Sequence, residues 1–541
     1  MKRLVLFAFI VAAGTIGCTS KAVKHEVVEV KSESPQLKAA VLPPEADEFS
    51  IDHRAYNHYI SALLYERLGN LPKAATNYQR ALKYHPDSYQ FRVALAEVSF
   101  RLREYEKAVE LLVETTPQDA EVHLILGAAY AALGEDDSAR AAYGRLIVVD
   151  PNNSMAYSQL ASYYRKTGDL DSLIWAYGHL ARIRPGNERV WRELGRLQAQ
   201  RGKFDEARDS FHSSIVARAD ATNILSFLSL AELHVLNDRP DSAIIVYKQA
   251  LEVEPYNTTA NRELANLYVR LDSLAESVRY ARNVVEATPL DRSAVRRLGI
   301  IYYGLDSLRL ADSVFTSLVD SGERNSINHF YLGRIAALSD DYYRAIDEFT
   351  KLTQMADSVA ESWLDLGYAY RKSRQAEKEI LTYQTGMGHM RDAEGEIRLM
   401  FAMGAAYEQN AQIREAEEVF EEIIARSPNH SQSLNYLGYM LADRGERLEY
   451  ARELIERAVN LAPDNAAYLD SYGWVFYRLE KFDEALVYLK KAVSLDSDPI
   501  IFDHLGDAYK AAGDTENARL WWQKALELQP DNSRIKEKLD R

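Results

Sequence analysis

The residues of this chain that could carry acid–base, nucleophilic or metal chemistry are 12 histidines, one cysteine and a large stock of serines and carboxylates. Their spacing argues against all three. No His-Glu-x-x-His occurs, and Cys18 has no second cysteine with which to form a disulfide or a structural zinc set. His53 and His58 come nearest to a metal pair, but at that separation they do not share a helical face well. Gly-x-Ser-x-Gly and Gly-x-x-x-x-Gly-Lys-Ser/Thr are both missing, so no hydrolase nucleophile and no triphosphate cradle is signalled. Gly386-Met387-Gly388 follows no strand pattern and reads as part of an enlarged loop rather than a dinucleotide turn. The expectation is a protein with no catalytic residue, metal or cofactor.

Lys plus Arg number 65 against 80 Asp plus Glu, a formal charge of -15 that opposes any non-specific grip on nucleic acid. Cys18 has a different meaning. Lys2 and Arg3 precede the apolar run Leu4 to Ala13, and Gly14-Thr15-Ile16-Gly17 brings small residues up to the cysteine, the layout of a signal peptide. The run falls short of the about 20 apolar residues that a membrane-spanning helix needs. The segment resembles the lipobox of bacterial lipoproteins, although Thr15 stands where leucine is usual. That resemblance implies cleavage after residue 17 and lipid attachment at Cys18, and Thr19 behind the cysteine implies the outer membrane of the cell envelope. Residues 18–50, with Pro35, Pro43 and Pro44 and no helical period, read as a flexible tether.

The elements that must position everything else begin at about residue 51. Small residues recur mostly every 34 positions: Ala62, Ala96, Gly127, Ala161, Gly195, Ala231, Ala265, Gly299, Gly333, Gly367, Gly404, Gly438, Gly473 and Gly506. A second series follows each by twelve in nearly every unit, from Ala74 and Ala108 to Ala485 and Ala518, with Glu379 as an odd member. Aromatics follow the second series by four, among them Tyr78, Phe211, Phe349, Tyr383, Phe420 and Trp522. Prolines such as Pro151, Pro185, Pro255, Pro463 and Pro530 come twelve residues after it and close the second helix. Each unit is therefore a helix, a turn and a helix, with small residues where the helices approach and aromatics filling the rest.

This pattern resembles the tetratricopeptide repeat family, with 14 units covering about Ala55 to Asn532 and a final helix near Ser533 to Arg541. The resemblance implies an all-α, right-handed superhelical solenoid over residues 51–541, whose first helices line a concave binding side. Extra residues near 218–223 and 386–396 are expected to form hinges. On the first helices, Asp470, Trp474 and Tyr477 share one stripe, flanked by Tyr439, Asp503 and Asp507, giving an acidic and aromatic wall. Arg189, Arg192 and Arg196, with Arg165, form a basic patch farther back. The six stripe residues with Arg189, Arg192 and Arg196 are the candidate protein-binding positions.

The carboxyl-terminal stretches LNYLGYMLADRGERLEYARELIERAVNLAPDNAAYLDSYGWVFYRL, from Leu434, and DHLGDAYKAAGDTENARLWWQKALELQPDN, from Asp503, are similar to the large repeat lipoproteins of bacterial envelopes. That group includes the adaptor of a carboxyl-terminal processing protease. The resemblance implies a membrane-anchored scaffold that binds protein partners, a periplasmic protease and its substrates among them. A second reading is an accessory lipoprotein for assembling a secretion, pilus or gliding machine, and an envelope enzyme is the third.

Overall fold

The computed structural model describes residues 53–540; the expected signal peptide, Cys18 and the expected tether lie outside the described residues. Among the described residues there are 29 α-helices, one short 3-10 turn and no strand. The chain divides into two compact units, up to Arg145 and from Leu146. The first unit holds the hairpins His53–Arg67 with Leu71–Tyr84 and Tyr89–Arg101 with Tyr105–Leu112, followed by helix Ala120–Leu133. The second runs through hairpins from Ser154–Thr167 with Leu170–Ile183 to Pro499–Ala511 with Thr515–Leu528, and adds the helix Ser533–Asp540.

Helix starts follow local chemistry. The loop after each closing proline ends in a residue whose side chain caps the next helix, as Asn153 does for the Ala156 amide at 3.1 Å and Asn465 for the Tyr468 amide at 3.1 Å. Inside the hairpins Asp169 accepts from the Ser172 amide at 3.1 Å. Many of the hairpin turns pass through a left-handed residue, supplied by Gly168 and Gly202 in some units and by Asp272 and Asp306 in others. Glycine adopts that conformation without penalty, and aspartate tolerates it better than most residues.

The two small-residue series meet inside each hairpin. A Cβ on Gly195, Gly404 or Gly506 would come within 3.0 Å of the rings of Phe211, Phe420 or Trp522 respectively, so the ring of the second helix lies on the bare backbone of the first. Where Ala replaces glycine, as at Ala62 and Ala231, the residue is still fully buried. Burial of each such ring is worth about 1.5–3 kcal/mol, and the pattern repeats along the chain. Glu379 breaks it: this residue is 1 % exposed where most other hairpins bury alanine. Burial drives its pKa up, and the Tyr383 hydroxyl, 3.3 Å away, is the hydrogen-bond donor beside it.

Both inserted segments are tied down. The turn Ala221–Asn223 buries Asn223, whose Nδ2 donates to the carbonyls of Ser214 at 2.8 Å and Arg218 at 2.9 Å. At the other, Gly386 ends up inside the helix Ala376–Met387 against the Trp363 ring, and Asp392 caps the Gly395 amide at 2.7 Å.

Candidate functional site

The helices Ser431–Arg444, Ala466–Arg478 and Pro499–Ala511 are the first helices of the last three hairpins. Relative to their packing glycines, Asn435, Asp470 and Asp503 occupy one position, three residues earlier, and Tyr439, Trp474 and Asp507 another, one residue later. Successive helices therefore set these side chains in two parallel rows. Asp470 lies beside His504 of the next helix, with both carboxylate oxygens 3.0 Å from Nδ1. The Trp474 ring stacks on His504 with centroids 4.2 Å apart and on Tyr477 at 4.8 Å. Tyr439 approaches the same imidazole at 6.4 Å. Burial pulls the His504 pKa down, but Asp470, with Asp503 and Asp507 behind it, outweighs this and leaves it raised. Burial also pushes the Tyr439 hydroxyl up, to about 12, helped by Asp443 and Asp470.

One step along, Lys538 of the helix Ser533–Asp540 places Nζ 2.6 Å from Asp503 and 2.6 Å from Asp507. The Trp522 indole donates to Asp507 Oδ1 at 3.1 Å, and Lys538 also lies over the Trp522 ring, 5.7 Å from its centroid. Burial raises the Asp507 pKa; Lys538 works against that shift and Asp503 adds to it. Two polar atoms in the rows are enclosed without a partner: Trp474 Nε1 and Asn435 Oδ1.

The six residues of the predicted stripe thus come together, but not as a solvent-facing wall. Trp474 is 5 % exposed and Asp470 6 %, because His504 and the aromatic stack cover them. Asp503 and Asp507 face a lysine of the same chain. Tyr439 and Tyr477 are half-buried. Neither His504 nor Lys538 is marked by the repeat pattern. The signal available for them was an opposite charge about one repeat length beyond an aspartate, 34 residues for Asp470 with His504 and 35 for Asp503 with Lys538.

The basic patch is partly neutralised. Arg196 makes two bonds of 2.9 Å to Glu193, which Arg165 also reaches at 3.1 Å. Arg196 foremost, with Arg165 and Arg192, holds the Glu193 pKa down. Arg192 donates to the buried Asn223 at 2.8 Å. Arg189 remains open, its side chain 82 % exposed with Glu188 at 3.7 Å.

Within the first unit, a groove of about 720 Å³ is lined by Tyr59, Leu63, Glu66, Tyr89, Glu97 and Glu121 among others. Burial, reinforced by Glu66 and Glu121, raises the Glu97 pKa. Among the described residues no group of three or more His, Cys, Asp or Glu side chains is placed to hold a metal, and no helix is long and apolar enough to cross a membrane.

Hairpins of paired helices with sites spread over their surfaces define a helical-repeat protein-binding scaffold. Tetratricopeptide repeat models match residues 61–120, 121–153 and 357–531, and the chain is a tetratricopeptide-repeat protein. It is 29% identical over 213 residues to the TPR repeat-containing protein PA4667 of Pseudomonas aeruginosa, a match spanning 33% of this chain and 36% of that protein. It is 36% identical over 67 residues to the mitochondrial import receptor subunit TOM70 of Saccharomyces cerevisiae, covering 12% of this chain and 11% of the receptor. The matched region thus spans about a third of the first relative and about a tenth of the second. Among solved structures, Naa15/Naa10 bound to HypK-THB aligns with 90% of this chain and 77% of its own at a TM-score of 0.40 and 13% identity.

Proposed function

We propose that this protein is a lipid-anchored scaffold of the bacterial envelope, held at the outer membrane through Cys18, and that its first-helix faces hold protein partners, a periplasmic protease and its substrates among them. One observation carries the scaffold reading. The described residues form helical hairpins from end to end, and both the groove of the first unit and the Asp470–His504–Trp474 group are built largely from first helices. Binding is what such a surface does well: aromatic anchors supply affinity, and surrounding charge supplies rate and partner choice. The anchor rests on the run Leu4 to Ala13 leading to Cys18. Several acyl chains on one cysteine would make membrane attachment lasting, where a single chain is reversible.

The anchor and the partner are tested separately. Cys18→Ser should move the folded protein from the detergent phase to the aqueous phase in phase partitioning, and unchanged partitioning would refute the lipidation. Affinity capture of the anchored wild-type protein from solubilised envelopes should return a protease with one or more of its substrates. Capture of a pore or fibre subunit instead would favour the assembly role, and turnover of substrate by the purified chain alone would make it an enzyme.

A further inference from the structure

The groove of about 720 Å³ in the first unit draws one carboxylate from each of three first helices: Glu66 of His53–Arg67, Glu97 of Tyr89–Arg101 and Glu121 of Ala120–Leu133. Only the first of these is satisfied within the chain. Glu66 receives the Tyr78 hydroxyl on Oε2 at 2.8 Å and the Arg101 guanidinium on Oε1 at 2.5 Å. The carboxylates of Glu97 and Glu121 have no hydrogen bond or ion pair among the described residues, and Arg67, which also lines the groove, bridges none of the three. Partial burial pushes the Glu97 carboxyl up, Glu66 and Glu121 add to the shift, and Arg101 offsets only part of it. A cation entering beside Glu97 would relieve that repulsion. The rest of the groove is largely apolar. Tyr59, Leu63, Tyr89, Val93 and Ala94 supply its walls; Leu63 is 44% exposed, and Tyr59 and Tyr89 are half-buried. Counted from the packing residues Ala62 and Ala96, Tyr59 and Val93 stand three places earlier and Leu63 and Glu97 one place later, in the two rows that Asp470 and Trp474 occupy on their own helix.

We propose that this groove is a docking site for an arginine-bearing segment of a protein partner, with Glu97 and Glu121 receiving the guanidinium and Tyr59, Leu63 and Tyr89 covering its stem and its apolar neighbours. Charge complementarity selects the cation, and the apolar walls select its kind. A small inorganic cation would use the carboxylates and leave the walls uncovered. Arginine carries an apolar stem and a planar guanidinium that stacks on tyrosine and donates to carboxylates. The groove's volume lies within the range of pockets that hold a drug-sized ligand, so it has room for a short peptide segment rather than a single side chain. The proposal rests on the reading of the first-helix faces as protein-binding, and it gives the partner a chemistry at this unit: basic residues interleaved with apolar ones.

The test uses the full chain and the fluorescein-labelled probe Ala-Leu-Arg-Leu-Arg-Ala, read by fluorescence anisotropy at about 0.15 M salt, where exposed charges more than about 8 Å apart are largely screened. A twin probe has glutamine in place of both arginines. Because the net charge of -15 attracts any basic peptide, the groove variant Glu97→Gln with Glu121→Gln is compared with Glu252→Gln with Glu286→Gln. The second pair removes the same charge from exposed positions on the second helices Pro240–Val253 and Leu274–Ala287. All four glutamates are exposed, so both variants should melt as the wild type does. The groove variant should bind the arginine probe at least about tenfold more weakly than the wild type, and the comparison variant within about twofold of it. The wild type should bind the glutamine probe at least about tenfold more weakly than the arginine probe. In the wild type, without any substitution, the bound arginine probe should slow hydrogen exchange at residues 89–101 and leave 240–253 unchanged. Equal losses in the two variants, no loss in the groove variant, equal binding of the two probes, or no slowing at 89–101 would each overturn the proposal. These outcomes are separate from the fate of the scaffold reading, which stands or falls on partner capture by the unaltered protein.

Discussion

His504 and Asp470, on the first helices of successive hairpins, form a buried pair in which the imidazole Nδ1 lies 3.0 Å from both carboxylate oxygens. The pair joins two successive repeats through charge and, unlike the more exposed bridges Arg201–Asp171 and Arg426–Glu396 between other repeats, it is almost fully buried. With its folded pKa raised above the ordinary 6.5, His504 adds stability that is fully present below about pH 6.5 and is lost as pH rises through the folded value. Urea unfolding followed over pH 5–9 should therefore show stability falling as pH rises above about 6.5. Asp470→Asn should remove this slope and cost about 3–5 kcal/mol at pH 6, the range for breaking a buried pair. The same slope in both proteins would contradict the assignment.

Trp474 fills the joint between those repeats, stacked on His504 and Tyr477. Trp474→Ala should destabilise the protein by about 3–5 kcal/mol through the cavity it leaves. Trp474→Phe should cost clearly less, since it keeps an aromatic ring and its loss of the indole N–H breaks no hydrogen bond. Unfolding midpoints of the two variants check the order; equal losses would mean that the N–H has a partner.

The hairpin register was readable because packing repeats at a fixed interval. Gly506 and Trp522 sit in matching positions to Gly404 and Phe420, and a ring pressed on bare backbone leaves a periodic trace in composition. The grouping of Asp470, Trp474, Tyr477, Asp503 and Asp507 was also legible, since side-chain spacing on a helix places them. Their exposure was not. Whether Trp474 faces solvent depends on His504 of the following helix, and whether Asp503 is open depends on Lys538 of a short helix outside the repeat pattern. Such contacts between repeats are set by how helices pack against each other, which the period within one unit does not encode. The hydrogen bond from Arg192 to Asn223 is hidden for the same reason, since Asn223 lies in an inserted turn.

Glu379 occupies a position that is alanine in most hairpins, and burial raises its pKa above 4.5. A raised carboxylate pKa favours the fold fully below about pH 4.5 and loses that contribution as pH climbs through the folded value, so at neutral pH the group is a burden. Glu379→Gln keeps the volume and removes the charge. It should stabilise the protein at pH 8 and change its stability by nearly nothing at pH 4. Thermal melts at the two pH values measure this, and destabilisation at pH 8 would show that the carboxylate is satisfied where it lies.

Gly506 has no room for a side chain, because an added Cβ would fall 2.4 Å from Trp522 Cδ1. Gly506→Ala should cost about 1–3 kcal/mol by overpacking. The cost should shrink when Trp522 is also replaced by leucine, the side chain's smaller counterpart at Leu489 against Gly473. A double-mutant cycle on unfolding free energies gives the coupling, and strict additivity would place the strain elsewhere.

The central claim is that the first-helix faces hold the partner, and site-specific photocrosslinking in intact envelopes tests it most directly. A photoreactive amino acid replaces Leu63 or Arg189 on first helices, or Tyr343 or Val487 on second helices, all of which are exposed. The account predicts crosslinks to the same captured partner from Leu63, Arg189 or both, and none from Tyr343 or Val487. Crosslinks confined to the second-helix positions would contradict it.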